Sequence, residues 1–162
     1  MEHLDFMQAA LAEAHKAYRK GEAPIGAVIV KNGRIIARAH NLRERRQNAL
    51  NHAEILAIGK ACRKLKSWRL VGCDLYVTLE PCSMCSGAII QARIARLYFG
   101  ASDPKAGCVG SLTNLLETPC LTHKVEYHSG LLGEECSQIL KNFFRDLRQG
   151  KVRPIKKRKK YM

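Results

Sequence analysis

Residues 74–93 read DLYVTLEPCSMCSGAIIQAR, a predicted β-strand followed almost at once by a predicted helix. The strand is predicted over Asp74–Leu79, and the mostly apolar segment Cys82–Arg93 is predicted as a buried helix. A further strand is predicted over Arg96–Phe99, so strand and helix alternate in this region. Such alternation is typical of an α/β fold, in which helices pack against a sheet.

The elements predicted on either side extend this pattern. Asn32-Gly33 joins two β-rich runs into a hairpin, because both residues tolerate positive φ. Long loops are predicted over His40–Asn51 and over residues 100–122. The remaining predicted elements are a helix with apolar positions from Leu4 to Tyr18, strands at Ile25–Val30 and Arg34–Ala39, a helix with a buried start at Ala53–Leu65, a strand near Lys124–His128, and a helix at about Glu134–Arg148. We therefore predict a three-layer α/β sandwich, with helices on both faces of one mixed five-stranded sheet.

Length and composition indicate one globular domain with an unusual charge. The chain has 162 residues, of which 46% are hydrophobic and 26% charged, and these values exclude a disordered or collagen-like chain. The predicted domain covers residues 1–150, and residues 151–162 form a basic tail. The net charge is +14, and the tail holds seven of the basic residues and no acid. This excess favours a polyanionic partner such as a nucleic acid.

The sequence shows no feature of a membrane or secreted protein. No apolar run approaches the roughly 18 residues that a membrane span needs. The start, MEHLDFMQAA, lacks the basic region followed by an apolar region that a secretory signal has. The seven cysteines are an odd number, so we expect reduced thiols, a cytoplasmic location and no contact with a membrane.

Two short motifs, His52-Ala53-Glu54 and Pro81-Cys82-Ser83-Met84-Cys85, contain the residue types of a metal site. Each is predicted at the start of a buried helix, where the helix dipole favours thiolates. If the two helix ends meet, one imidazole and two thiolates converge, a ligand set suited to zinc. The other cysteines form no second CxxC. The sequence therefore predicts three protein ligands, His52, Cys82 and Cys85, and an open fourth position.

Glu54 lies in the same helix start and is not needed as a ligand. A carboxyl group in an apolar setting has a raised pKa, which suits proton transfer near neutral pH. The combined pattern H-x-E…P-C-x-x-C is the signature of zinc-dependent nucleobase deaminases, in which the Glu is the acid–base group. Considered alone, the CxxC also fits a thiol–disulfide redox motif, and His52 alone fits a hydrogen-bonded core histidine.

Five segments together resemble the bacterial tRNA-specific adenosine deaminases: GEAPIGAVIV (21–30), NHAEILAI (51–58), LYVTLEPCSMCSGAII (75–90), FGASDPKAGCVGSL (99–112) and FFRDLRQGK (143–151). The resemblance runs from the first helix to about Arg148. It implies a cytidine-deaminase-like fold, a homodimer, and conversion of the wobble adenosine in an arginine tRNA to inosine. It also implies that His52, Cys82 and Cys85 hold one zinc ion per subunit, and that a zinc-activated hydroxide attacks C6 of adenine while Glu54 moves protons.

The same resemblance implies which residues contact the RNA. Asn41 matches an asparagine that the family uses against the flipped base, and the main chain at Ala53 and Pro81 would frame the base edge. The anticodon stem-loop would contact the 100–107 loop and the last helix, where aromatic and Arg side chains can stack on unpaired bases. The residues implied there are Ser102, Asp103, Lys105, Phe144, Arg145 and Arg148. Phe143, in contrast, falls on the apolar stripe of that helix and is predicted as core.

Three alternative functions and the role of the tail stay open at this point. A deaminase of free guanine or of a cytosine nucleoside would share the zinc motifs, but would need neither the charge nor the FGASDPKAG and FFRDLRQ segments. A zinc-stabilised RNA-binding domain would have no use for Glu54, and a redox protein would bind no metal. The tail 151–162 is either a specific contact with the tRNA stem or an arm that attracts RNA without specificity.

Overall fold

The computed structural model describes residues 2–153 and 155, so residue 154 and residues 156–162 of the predicted basic tail lie outside the described part. The helices and strands are α1 (His3–Arg19), β1 (Gly26–Lys31), β2 (Arg34–His40), α2 (Arg43–Arg46), α3 (Ala53–Leu65), β3 (Cys73–Leu79), α4 (Ser83–Gln91), β4 (Arg96–Ala101), β5 (Glu126–His128) and α5 (Gly133–Arg148). None of the helices described is both long enough and apolar enough to span a bilayer.

The five strands form one mixed sheet in the order β2-β1-β3-β4-β5. β1 pairs antiparallel with β2 and with β3, whereas β3, β4 and β5 are parallel. The hairpin turns at Asn32 and Gly33, which both have positive φ. Because β3 and β4 are parallel, their C-terminal ends lie at the same edge of the sheet, where β3 leads into α4.

Each face of the sheet carries its own apolar core, and successive strand residues alternate between the two. In β1, Ala27 and Ile29 belong to the core under α3 and α4, and Val28 belongs to the core under α1 and α5. α1 approaches the sheet closely at Gly26, where an added Cβ would lie 2.5 Å from the backbone nitrogen of Ala14. The predicted three-layer sandwich is confirmed.

The structure corrects the predicted loops and the predicted start of α3. The segment predicted as loop over 40–51 contains α2, and the segment over 100–122 contains a 3-10 turn at Leu115–Glu117. At the start of α3 the small residues are buried, but Ile55 and Ile58 are only half-buried, although Ile58 packs against the core. Phe143 is buried in the core, as predicted.

Candidate active site

Two helix N-termini meet beyond the C-terminal end of β3. His52 is the N-cap residue of α3, Cys82 is the N-cap residue of α4, and Cys85 lies in the first turn of α4. His52 Nδ1 lies 3.6 Å from the Sγ atom of Cys82 and 3.6 Å from that of Cys85. The fold therefore brings His52 next to two cysteines that lie 30 and 33 residues further along the chain.

The spacing of these three donor atoms fits a metal ion. A tetrahedral zinc ion, with bonds of about 2.05 Å to nitrogen and 2.3 Å to sulfur, places the two donors about 3.6 Å apart. All three ligand atoms lie within 4.8 Å of one another, and no other His, Cys, Asp or Glu of residues 2–153 joins the group. The group can therefore hold a metal ion and leave a coordination position for a further ligand.

The two cysteines differ in the pKa of their thiols. The Cys85 thiol donates a hydrogen bond to Cys82, and this bond, together with His52, lowers the pKa of Cys82 to about 3. The same bond and burial raise the pKa of Cys85. Metal ions bind thiolates, so a bound cation would displace any proton that these two thiols hold.

Glu54 lies next to this group but is not part of it. Its side chain is in the first turn of α3, is 4% exposed, and is hydrogen-bonded to Cys85. Burial raises the pKa of the Glu54 carboxyl above its usual range. A carboxyl group in this state exchanges protons more readily near neutral pH than an exposed one does.

A cavity of about 180 Å³ opens in front of the group, and Asn41, Ala53 and Glu54 line it. Asn41 is buried and held in place: its Oδ1 accepts the N–H of Arg43 at 3.1 Å, and its Nδ2 donates to the Ala23 carbonyl at 3.4 Å. Pro81 is buried beside the cavity, and its carbonyl accepts the N–H of Cys108 at 2.9 Å.

A groove of about 710 Å³ continues from the cavity, and the two share Ala23, Ile25, Leu79 and Asp103. We call it the α5 groove, because α5 forms one wall and the loop after β4 forms the other. Five of the six residues implied as RNA contacts line it: Ser102, Asp103, Lys105, Phe144 and Arg148. Phe144 is 45% exposed, so its ring is available to a ligand.

Arg145 does not line the α5 groove. Its side chain lines a separate depression between α1 and α5, and its guanidinium group lies 3.4 Å from Asp146. Consecutive residues of a helix point about 100° apart, so Phe144 and Arg145 cannot both face one groove. The structure therefore separates Arg145 from the other five residues.

The sequence analysis did not single out the side chain of Glu80, which shapes the mouth of the cavity. Glu80 is 3% exposed, and its carboxylate accepts the N–H groups of Asp103, Val109 and Ser111 at 3.0–3.1 Å, as well as the Ser111 hydroxyl. Burial acts to raise its pKa, but these hydrogen bonds lower it overall. Glu80 therefore fixes the loop that carries Asp103. Its only signal in the sequence is a charged residue at the end of a buried strand.

Comparisons with known proteins agree with this geometry. The MafB19-like deaminase family profile matches residues 1–148. The tRNA-specific adenosine deaminase of Bacillus subtilis (strain 168) is 56% identical over 146 residues, which cover 90% of this chain and 91% of that protein. A structure solved in studies of A-to-I editing by tRNA:A34 deaminases at the wobble position has a TM-score of 0.81 and 48% identity, over 84% of this chain and 99% of that chain.

A deaminase of a free base is also similar, at lower identity. The guanine deaminase of Bacillus subtilis is 31% identical, with a TM-score of 0.63, and the match covers 100% of both chains. The fold is thus shared with a deaminase of a free base. The identity to the tRNA deaminase is much higher and extends over nearly its whole length. The chain is therefore an enzyme of the MafB19-like deaminases and belongs to the tRNA-specific adenosine deaminase family.

Proposed function

We propose that this enzyme converts the wobble adenosine in the anticodon loop of an arginine tRNA to inosine, with one zinc ion per subunit. The observation that carries the proposal is the continuity of two spaces. The cavity with Glu54 and the His-Cys-Cys group opens directly into the α5 groove, whose exposed Phe144 and cationic side chains suit an unpaired, negatively charged RNA loop. Membership of the tRNA deaminase family also supports it.

In this proposal His52, Cys82 and Cys85 hold the zinc ion. Bound zinc lowers the pKa of a coordinated water toward about 7 and so supplies a nucleophile at neutral pH. Glu54 accepts the proton that the water loses. It passes this proton to the ring nitrogen N1 as the oxygen of the water bonds to C6, and it then carries the second proton of the water from that oxygen to the amino group, which leaves as ammonia. The overall change adds one water to adenosine and releases inosine and ammonia.

Other residues of the cavity would orient the base. Ala53 is the first residue of α3, so its N–H has no acceptor within the helix and is available to the base edge. The hydrogen bonds from Arg43 and to Ala23 fix the amide plane of Asn41, and they leave one N–H of that amide free. The Pro81 carbonyl keeps a second lone pair besides the one that accepts from Cys108.

We also propose that the enzyme is a cytoplasmic homodimer. The start of α3 carries the half-buried apolar residue Ile55, and Leu50 and Leu112 are more than half exposed. Apolar residues that remain accessible in one copy favour contact with a second copy. Sedimentation of the zinc-loaded enzyme should give twice the mass of the 18.2 kDa chain.

The proposed reaction is tested on a transcribed anticodon stem-loop of an arginine tRNA that carries adenosine at position 34. We expect the zinc-loaded enzyme to form inosine at this position, detected by nuclease digestion and chromatography. Stem-loops of other tRNAs carrying the same adenosine test the preference for arginine tRNA. Release of ammonia from free guanine or cytidine, with no inosine in the RNA, would instead indicate a small-molecule deaminase.

Replacing Phe144 with alanine should lower kcat/KM for the stem-loop by about 10-fold or more, because stacking of a base on an aromatic ring contributes about 1–3 kcal/mol. The loss should fall on KM, since Phe144 lies in the α5 groove and not at the reacting atoms. Leu147→Ala is the matched control, because Leu147 is an exposed apolar residue of the same helix outside this groove. Equal kinetics for both variants would contradict a base contact at Phe144.

A further inference from the structure

A second concave surface lies near the mouth of the cavity, and we call it the basic cleft. It has a volume of about 430 Å³ and is formed by the end of α1, by α2 and by the segment 151–153. Five cationic residues line it, and none of its lining residues is acidic: Arg19, Lys20, Arg45, Lys151 and Arg153. This is a high density of one sign of charge on a small surface.

The five cations of the basic cleft make no direct ion pair in the described part of the chain. Within residues 2–153 and 155, none of them has a carboxylate oxygen within 4.0 Å. Lys20 donates instead to His40, at 2.9 Å. The nearby acids are engaged elsewhere, because Asp146 accepts the Tyr18 hydroxyl and Glu22 accepts backbone N–H groups. Cations this close repel one another, so a bound anion would lower the electrostatic energy.

The end of the described chain is held against the body of the protein. Gly21 has a φ of +75°, and a Cβ there would lie 2.7 Å from the carbonyl oxygen of Arg153. Val152 is buried, and the N–H of Lys151 donates to the carbonyl of Asp146 at 2.8 Å. Lys151 and Arg153 are therefore fixed beside the end of α1.

The basic cleft is connected to the cavity through α2. Glu22 is fully buried, and its carboxylate accepts the N–H of Glu44 at 3.0 Å and of Arg45 at 3.3 Å, which anchors α2. Arg43, at the start of α2, lines the cavity, and Arg45, two residues later, lines the basic cleft. A ligand that fills the cavity and extends along α2 would therefore reach the cleft.

We propose that the basic cleft binds phosphate groups of the RNA backbone next to the target nucleotide. This inference rests on the proposed function, because it takes the RNA as the substrate. The cleft suits phosphates better than bases, because its lining includes one aromatic residue, Tyr18, and that ring is engaged within the protein. Tyr18 packs edge-on against Phe143 and is hydrogen-bonded to Asp146. The α5 groove would then hold bases, and the basic cleft would hold backbone on another side of the cavity.

The test measures how the affinity for RNA depends on salt. Binding of a fluorescent stem-loop with inosine at position 34, the reaction product, is followed by anisotropy at several KCl concentrations. In the double variant Arg45→Gln/Arg153→Gln, loss of two phosphate contacts should reduce the slope of log K against log[salt] by about 1.4–1.8. Arg63→Gln/Lys64→Gln removes the same charge from the end of α3, and its slope should equal that of the unaltered enzyme.

Two further double variants and a competition experiment complete the test. Arg45→Lys/Arg153→Lys retains the charge and should keep the slope. If Arg45→Gln/Arg153→Gln does not fold, Lys20→Gln/Lys151→Gln takes its place and should reduce the slope. Two results together would indicate a site for small anions and overturn the proposal. Inorganic phosphate would compete with the stem-loop at constant ionic strength, and the slope would not change in the variants. Unchanged slopes, or equal losses in the cleft and control variants, would also overturn it.

The same measurements separate this inference from the proposed function. If the unaltered enzyme forms no inosine in the stem-loop but the cleft variant loses salt dependence, the cleft binds RNA phosphates and the proposed reaction is wrong. If inosine forms and the slopes are equal, the reaction stands and the cleft is not part of the RNA site.

Discussion

Glu54→Ala should retain zinc and fold, and it should lower the rate of deamination by about 10²–10⁴-fold, the usual contribution of a general acid–base group. The physical reason is the position of the carboxyl group. It lies in the wall of the cavity, beside the His-Cys-Cys group but outside it, so its removal takes away a proton carrier and leaves all three metal donors. Metal analysis and single-turnover formation of inosine in the stem-loop measure the two effects separately.

Glu54→Gln is the sharper control for this prediction. The amide has nearly the shape of the buried carboxyl group, so it leaves no void beside Cys85, but it cannot carry a proton at neutral pH. We expect the same loss of rate as in Glu54→Ala. A variant that lost its zinc, or that kept a near-normal rate, would show that Glu54 has been given the wrong role.

The sequence was sufficient for the sheet and for the residues that begin α3 and α4. Asn32-Gly33 predicts the hairpin by local conformational preference, and the apolar runs of β1 and β3 predict strands that are buried on both faces. The motifs predict the residue types of the metal site, and β3, which leads directly into α4, places the start of α4 at the edge of the sheet. These features depend on short-range patterns, which a sequence displays directly.

The features that were missed depend on contacts between distant residues. α2 has no apolar periodicity, since all four of its residues are charged, and the carboxylate of Glu22 supplies acceptors for its N–H groups. Glu80 holds a loop 23–31 residues further along the chain. Which of Phe144 and Arg145 faces the α5 groove depends on how α5 is rotated about its axis. The apolar stripe of α5 does not define this rotation, because one of its members, Leu147, is exposed. No local signal marks such contacts.

Two separate surfaces around one small cavity explain a feature of the composition. The cavity lining includes three acidic residues and only one arginine, so the catalytic chemistry does not account for a net charge of +14. The α5 groove and the basic cleft together carry eight cationic side chains outside the cavity: Lys105, Lys141 and Arg148 in the groove, and Arg19, Lys20, Arg45, Lys151 and Arg153 in the cleft. A substrate much larger than a base, and negatively charged over its length, fits this distribution.

Cys85→Ala should lose zinc and activity together. Zinc should be close to one ion per chain in the unaltered enzyme and close to zero in the variant, because only His52 and Cys82 remain as donors. Cys136→Ala is the matched control: Cys136 is as fully buried as Cys85, but it lies in the core on the opposite face of the sheet. This control should keep its zinc and its rate.

Stability provides a second readout of the same change. The free energy of binding a structural or catalytic metal contributes to the free energy of unfolding, so a chelator should lower the thermal midpoint of the unaltered enzyme. The Cys85→Ala variant should have a lowered midpoint from the start and should not respond further to the chelator. Two results would contradict an open site with three protein ligands. One is retention of one zinc ion per chain in Cys85→Ala, and the other is an absorption spectrum of the unaltered enzyme that requires four protein ligands. Because Cys85 is one of the three metal donors and Glu54 is not, loss of Cys85 removes the metal while the acid–base group stays in place, the converse of the Glu54→Ala result.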